Sequence, residues 1–140
     1  MEYVDTEALK GVESVKAVFD VTAMEPKKLA SSLMVIRQTV EDFKNQDVAA
    51  ELILTFRGPA LKFISQDRPE LGPEQAMFLD KITMLLKDLG AQGVRMEACA
   101  IAASLMDVDI ETMPESVTPV GNTFVSIIGY QAQGYTTVSV

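Results

Sequence analysis

Residues 15–43 read VKAVFDVTAMEPKKLASSLMVIRQTVEDF, and this stretch decides the fold. Its first part, Val15-Lys-Ala-Val-Phe-Asp-Val21, is rich in β-branched and aromatic residues, the composition of a buried strand. Pro26 follows a short turn and is placed to open a helix, where its missing N–H costs nothing. Leu29, Leu33, Ile36, Val40 and Phe43 then recur at alternating spacings of four and three, one apolar helical stripe. Arg37, Glu41, Asp42 and Lys44 occupy the other faces. A buried strand feeding an amphipathic helix is the first half of a βαβ unit.

The same alternation continues to the end of the chain. Ala50 to Phe56 (AELILTF) reads as a second strand, stopped by Arg57-Gly58-Pro59. Residues 58–72 form a connector with room for one helical turn. Pro73 opens the next helix, with Phe78, Ile82, Leu85 and Leu89 as its stripe and Gly90 and Gly93 as its end. Val94 to Cys99 is a third strand, and Ala100 to Met106 is a short helix. An acidic turn over 107–115 leads to a brief strand, Val117 to Val120. Asn122 is placed to cap a helix over 124–133, with Phe124, Ile127 and Ile128 facing inward. Gly134 turns the chain into a last strand, Tyr135 to Val140. Four β-α steps and a closing strand predict an α/β fold of three layers: a five-stranded parallel sheet with helices on both faces. The flavodoxin-like strand order 2-1-3-4-5 is the expected one. The whole chain, 1–140, reads as one domain, with 1–13 as an N-terminal extension.

Charge and composition narrow the chemistry. Twenty acids against twelve bases give a net charge of −8. The bases are scattered, so neither a nucleic acid nor an anionic membrane surface is an expected partner. No apolar run approaches the roughly 20 residues of a membrane-spanning helix, and the first eleven residues do not read as a secretory signal. A single cysteine excludes an intrachain disulfide, and a reducing cytoplasm is the expected location. Histidine is absent. Its absence removes the commonest general base, every Ser-His and Cys-His pair, and most transition-metal sites.

Ligands of open parallel sheets bind beyond the carboxyl ends of the strands. After the first strand, Thr22-Ala-Met-Glu-Pro26 holds no glycine and one acid. Backbone N–H groups there have no room to cradle a phosphate, which disfavours flavin, NAD and nucleoside triphosphates; no cofactor is expected. Asp20 lies inside a strand without an acidic neighbour, unlike a phosphoacceptor pocket. Asp107, Asp109 and Glu111 lack the length and glycine of a calcium loop, and no metal site is expected.

Cys99 is the positive signal. It closes the third strand with a helix N-terminus directly behind it, and unpaired N–H groups there lower a thiol's pKa from about 8.5. A buried cysteine packing as a small apolar residue satisfies the same placement. Ala98 and Ala100 fit a pocket wall or close packing equally. Arg57 and Gly58, at the end of the second strand, are candidate neighbours, with Arg57 able to face an anionic sulfur; in the expected order they lie two strands away. Asn122 is a candidate donor to a bound group as well as a cap. Tyr130 and Tyr135 flank the last turn and suit packing or a subunit contact.

Four segments together resemble the DsrE/DsrF-like family, intracellular sulfur-relay proteins with the YchN-like fold. They are Gly58-Pro-Ala-Leu-Lys-Phe-Ile64 after the second strand and Gly93-Val-Arg-Met-Glu-Ala-Cys99 closing the third. Val117-Thr-Pro-Val-Gly121 follows the short helix and acidic turn, and Gln131-Ala-Gln-Gly-Tyr135 precedes the terminal strand. The resemblance spans roughly residues 15–140. It implies a persulfide-carrying cysteine at Cys99, protein donors and acceptors of sulfur, and a homo-oligomer, trimeric or hexameric. Family members often place a polar residue just after the cysteine, where this chain has Ala100-Ile-Ala-Ala103. A non-catalytic oligomeric binding module with a structural cysteine is the alternative.

Overall fold

A computed structural model describes residues 3–140. Five strands form the sheet: β1 (Ser14–Val21), β2 (Ala49–Phe56), β3 (Arg95–Cys99), β4 (Val117–Val120) and β5 (Thr136–Ser139). The helices are α1 (Pro26–Asn45), α2 (Ala60–Ile64), α3 (Pro73–Ala91), α4 (Ala100–Leu105) and α5 (Thr123–Ala132), with a 3-10 turn at Ile110–Thr112. Every strand pairing is parallel. The three-layer α/β/α class read from the strand–helix alternation is therefore the observed one.

The strand order is β4-β3-β2-β1-β5, which corrects the 2-1-3-4-5 arrangement. Consecutive strands from β1 to β4 step in one direction, so right-handed crossovers carry their helices over one face. The return from β4 to β5 runs the other way and carries α5 over the opposite face, where it meets β1, β2, β3 and β5. Two sequence features fit β4 at an edge and β2 in the interior. Pro119 has no N–H for a second neighbour, and an edge strand tolerates this. β2 is apolar on both faces from Leu52 to Leu54, which suits a strand with neighbours on both sides. With β2 beside β3, Arg57 and Gly58 lie one strand from Cys99 rather than two.

The main core lies between the sheet and the α1/α3 layer. Phe19 and Val21, then Leu52, Leu54 and Phe56, then Met96 and Ala98 alternate inward from three strands. Leu29, Leu33 and Ile36 of α1 and Ile82, Leu85 and Leu89 of α3 meet them, all essentially solvent-free. Losing one such leucine to alanine in a core of this kind costs about 2–5 kcal/mol. Phe43 and Phe78 pack at the margin.

Gly90 does not end α3 but lies within it, where a Cβ would come within 2.9 Å of the Ser116 Cβ. Gly93, at φ +84°, makes the left-handed turn into β3. No helix among the described residues is long and apolar enough to cross a membrane. Of the N-terminal extension, residues 5–12 form successive turns, and Asp5 and Gln46 exchange two hydrogen bonds. Met1 and Glu2 lie outside the described residues.

The inward placement of Phe124 and Ile128 is also corrected. Phe124 is 55% exposed and Ile128 68%, and Thr123 is the one fully buried residue of α5 among those described. The sheet face beneath α5 explains the difference. Asp20, Thr55 and Glu97 point to it beside the buried Val18 and Ile53, so the surface is mixed and its polar groups call for partners. Hydrogen bonds from the Tyr130 hydroxyl to Glu97 and from the Thr123 N–H to Cys99 help to anchor α5 there.

Candidate functional site

Successive connections leave β3 and β4 toward opposite faces, which makes the carboxyl ends of these two strands the sheet's switch point. Cys99 ends β3 there. It is 4% exposed, and its side chain lies on the α5 face, in line with Glu97 two residues before it.

Two helix N-termini converge on the sulfur. Cys99 is the N-cap of α4, and its Sγ accepts from the Ala102 N–H at 3.5 Å. The same Sγ accepts from the Thr123 N–H at 3.4 Å, the first residue of α5. The sequence pointed only to the first helix. The second donor comes from the β4–α5 connection, held against α4 by the Ile101 N–H to Gly121 carbonyl bond at 3.1 Å. Burial alone pushes the thiol upward, but the Thr123 and Ala102 N–H groups, assisted by the Thr123 side chain and the Ile101 N–H, outweigh it. Cys99 titrates below the ordinary thiol range.

A cavity of about 460 Å³ opens above the sulfur. Arg57, Gly58, Ala102, Asn122 and Phe124 are among its walls. Arg57 and Gly58 are thus brought to Cys99, the former 36% exposed at its side chain. Arg57 is not a free cation, however. Its guanidinium forms a bidentate pair with Asp20 (Nη2 to Oδ2 2.9 Å, Nε to Oδ1 3.2 Å) and lies 5.0 Å from the centre of the Phe124 ring. Gly58 takes φ +64°, turning the chain away at the rim. Asn122 caps α5, its Oδ1 accepting from the Phe124 N–H at 3.0 Å, so it positions the Thr123 N–H. Ala100 faces a neighbouring depression, shared with Ser104, Val125 and Ser126, instead of the Cys99 cavity.

Beneath α5, Glu97 is the second ionisable group of this strand face. Its Oε2 accepts from Arg95 Nε at 2.7 Å and from the Tyr130 hydroxyl, while its Oε1 is buried with no partner. Desolvation would raise its pKa. Hydrogen bonds from Tyr130 and Arg95 hold it below the ordinary carboxylate range instead. Tyr130 also packs on Tyr135, 5.2 Å between ring centres, so both tyrosines have packing roles. The α5 layer thus hangs on a buried carboxylate.

Asp109 accepts from the Glu111 N–H at 3.0 Å and caps the 3-10 turn. No group of metal-ligating side chains is assembled among the described residues. A further cavity of about 490 Å³ lies near the amino ends of β2 and β3, beside Lys44, Glu51, Arg95 and Tyr135, and no cysteine, serine or threonine lines it.

Because folding lowers the Glu97 pKa, its stabilising contribution is present above the unfolded pKa and disappears as pH falls through the folded value. Glu97→Gln is expected to destabilise the protein by about 1–3 kcal/mol at neutral pH, and by less below the carboxylate range, where the wild type is protonated too. Urea unfolding at both pH values reads the difference. An equal penalty at both would contradict the role given to this carboxylate.

No protein-family model matches the chain, and no curated protein matches it significantly. Among similar solved structures is a protein of unknown function, MTH1491, from Methanobacterium thermoautotrophicum. It is 15% identical with a TM-score of 0.71, and the match covers 90% of this chain and 99% of that one. At that identity the likeness shows a shared fold.

Proposed function

We propose that this protein is a sulfur carrier that holds sulfane sulfur as a persulfide on Cys99. The observation that carries the reading is the sulfur's position at two helix N-termini, each giving an N–H to Sγ. This arrangement favours the thiolate, which is both the nucleophile and the group that carries a second sulfur. The cavity above it gives a reacting sulfur a place to sit. The resemblance of residues 15–140 to sulfur-relay proteins agrees with this chemistry.

Loading is an exchange without net oxidation. The Cys99 thiolate attacks the outer sulfur of a donor persulfide, a new S–S bond forms on Cys99, and the donor's thiolate leaves with the electron pair of the broken S–S bond. Unloading is the reverse, with an acceptor thiolate attacking the outer sulfur and Cys99 leaving. The chain has no second cysteine, so donor and acceptor thiols belong to other proteins. No histidine is required, because the donors at the sulfur favour the thiolate directly. A reducing cytoplasm suits a free thiol of this kind.

A homo-oligomer, trimeric or hexameric, belongs to the same reading. Ile101 and Leu105 of α4 and Phe124, Val125 and Ile128 of α5 are all exposed apolar side chains beside the site. Sedimentation is expected to show an assembly larger than one chain, and a monomer at every concentration would contradict it.

The low exposure of Cys99 favours one alternative, an oligomeric binding module in which the cysteine merely packs. The two readings separate by mass. Incubation with a small persulfide donor is expected to add about 32 Da, one sulfur atom, and Cys99→Ser to abolish the gain. No gain in a protein whose thiol reacts with a small alkylating agent would remove the carrier reading. A thiol that reacts only after denaturation would favour the binding module.

A further inference from the structure

Thr123 is fully buried, and its Oγ1 has no hydrogen-bond partner among the described residues. An unpaired buried hydroxyl is costly, and α5 begins with one. Its surroundings indicate what the hydroxyl is for. The Thr123 N–H lies 3.4 Å from Cys99 Sγ, Thr123 lines the cavity that contains that sulfur, and its side chain is among the groups favouring the charged thiol. A negative charge on the sulfur would give this unpaired hydroxyl a strong acceptor at the same cavity.

We propose that the Thr123 hydroxyl is the charge-responsive donor of this site, unpaired while Cys99 is a thiol and hydrogen-bonded to the sulfur once it is an anion. Ionisation breaks the S–H bond, the proton passes to water, and Thr123 keeps its own proton throughout. The hydroxyl thus adds a third donor to the two backbone N–H groups, and it is the one a side-chain substitution can remove. Other charged groups facing the site are few. Arg57 is paired with Asp20, Glu97 is tied to Arg95 and Tyr130, and α4 holds no titratable residue. This role deepens the sulfur-carrier reading but is measured on the unloaded thiol, so failure to accept sulfur and failure of the donor role are separate results.

The test is the pH profile of Cys99 alkylation by iodoacetamide in the full chain, with far-ultraviolet circular dichroism confirming the fold. Thr123→Val keeps the shape and removes the donor, and the midpoint is expected to move to higher pH by about one pH unit, the effect of one hydrogen bond to a charged group. Thr123→Ser keeps the donor and is expected to retain the wild-type midpoint. At pH values below the midpoint, Thr123→Val is expected to be at least as stable as the wild type, because it deletes an unpaired polar group. A valine profile superimposed on the wild type would overturn the proposal, as would a serine variant shifted as far as valine. If the valine variant does not fold, Thr123→Ala makes the same comparison. Loss of the fold in both would contradict the role, since the thiol form does not use the hydroxyl.

Discussion

The chain crosses from one edge of its sheet to the other only once, and the remainder of the site depends on that crossing. Steps from β1 to β4 build outward in one direction, so the chain has to return across three strands for β5 to pair with β1. Right-handedness places the return helix, α5, on the face that α1 and α3 leave open. The start of α5 is then fixed over the end of β3, and its first N–H falls on the sulfur of Cys99. A cysteine at the same strand end without this crossing would face one short helix of six residues. With it, the sulfur faces two N-termini, the second belonging to a helix of ten residues.

Burial and hydrogen bonding oppose each other at this sulfur. A nearly buried thiol in a largely apolar cavity is pushed toward neutrality, and only donors aimed at it reverse the balance. Arg57 looks like the natural counter-charge, but its bidentate pairing with Asp20 assigns it elsewhere. The pair closes the β1–β2 end and supports Phe124 at the start of α5. Neutral dipoles held by backbone geometry therefore carry the stabilisation. Such dipoles keep their direction whether or not the sulfur is charged, and they cost no reorganisation when it changes state.

Fold class, element order and the position of Cys99 at a strand end were legible from periodicity, because burial on the α1/α3 side follows the hydrophobic pattern directly. Strand order was less so, since local pattern does not say which strands are neighbours. Two features nevertheless carried the information: Pro119 marks an edge, and the doubly apolar run in β2 marks an interior strand. The exposed face of α5 misled for a related reason. Phe124, Ile127 and Ile128 look like an inward stripe, yet Phe124 and Ile128 are exposed beside a sheet surface that mixes Val18 and Ile53 with polar groups. Asp20, Thr55 and Glu97, each inside an otherwise apolar strand, were the readable sign of that surface. Thr123 follows Asn122 at the end of the fourth strand, but no local pattern shows that its N–H falls on the sulfur of Cys99.

Backbone donors at Cys99 favour its thiolate against the effect of burial, and a single cysteine makes this balance directly measurable. Thiolate absorbance followed against pH, in the folded protein and in the chain unfolded in urea, titrates that one group in two environments. The account requires the folded transition to lie at lower pH than the unfolded one. A folded transition at or above the unfolded one would mean that burial outweighs the two N–H groups, and the site would not be built for an anionic sulfur.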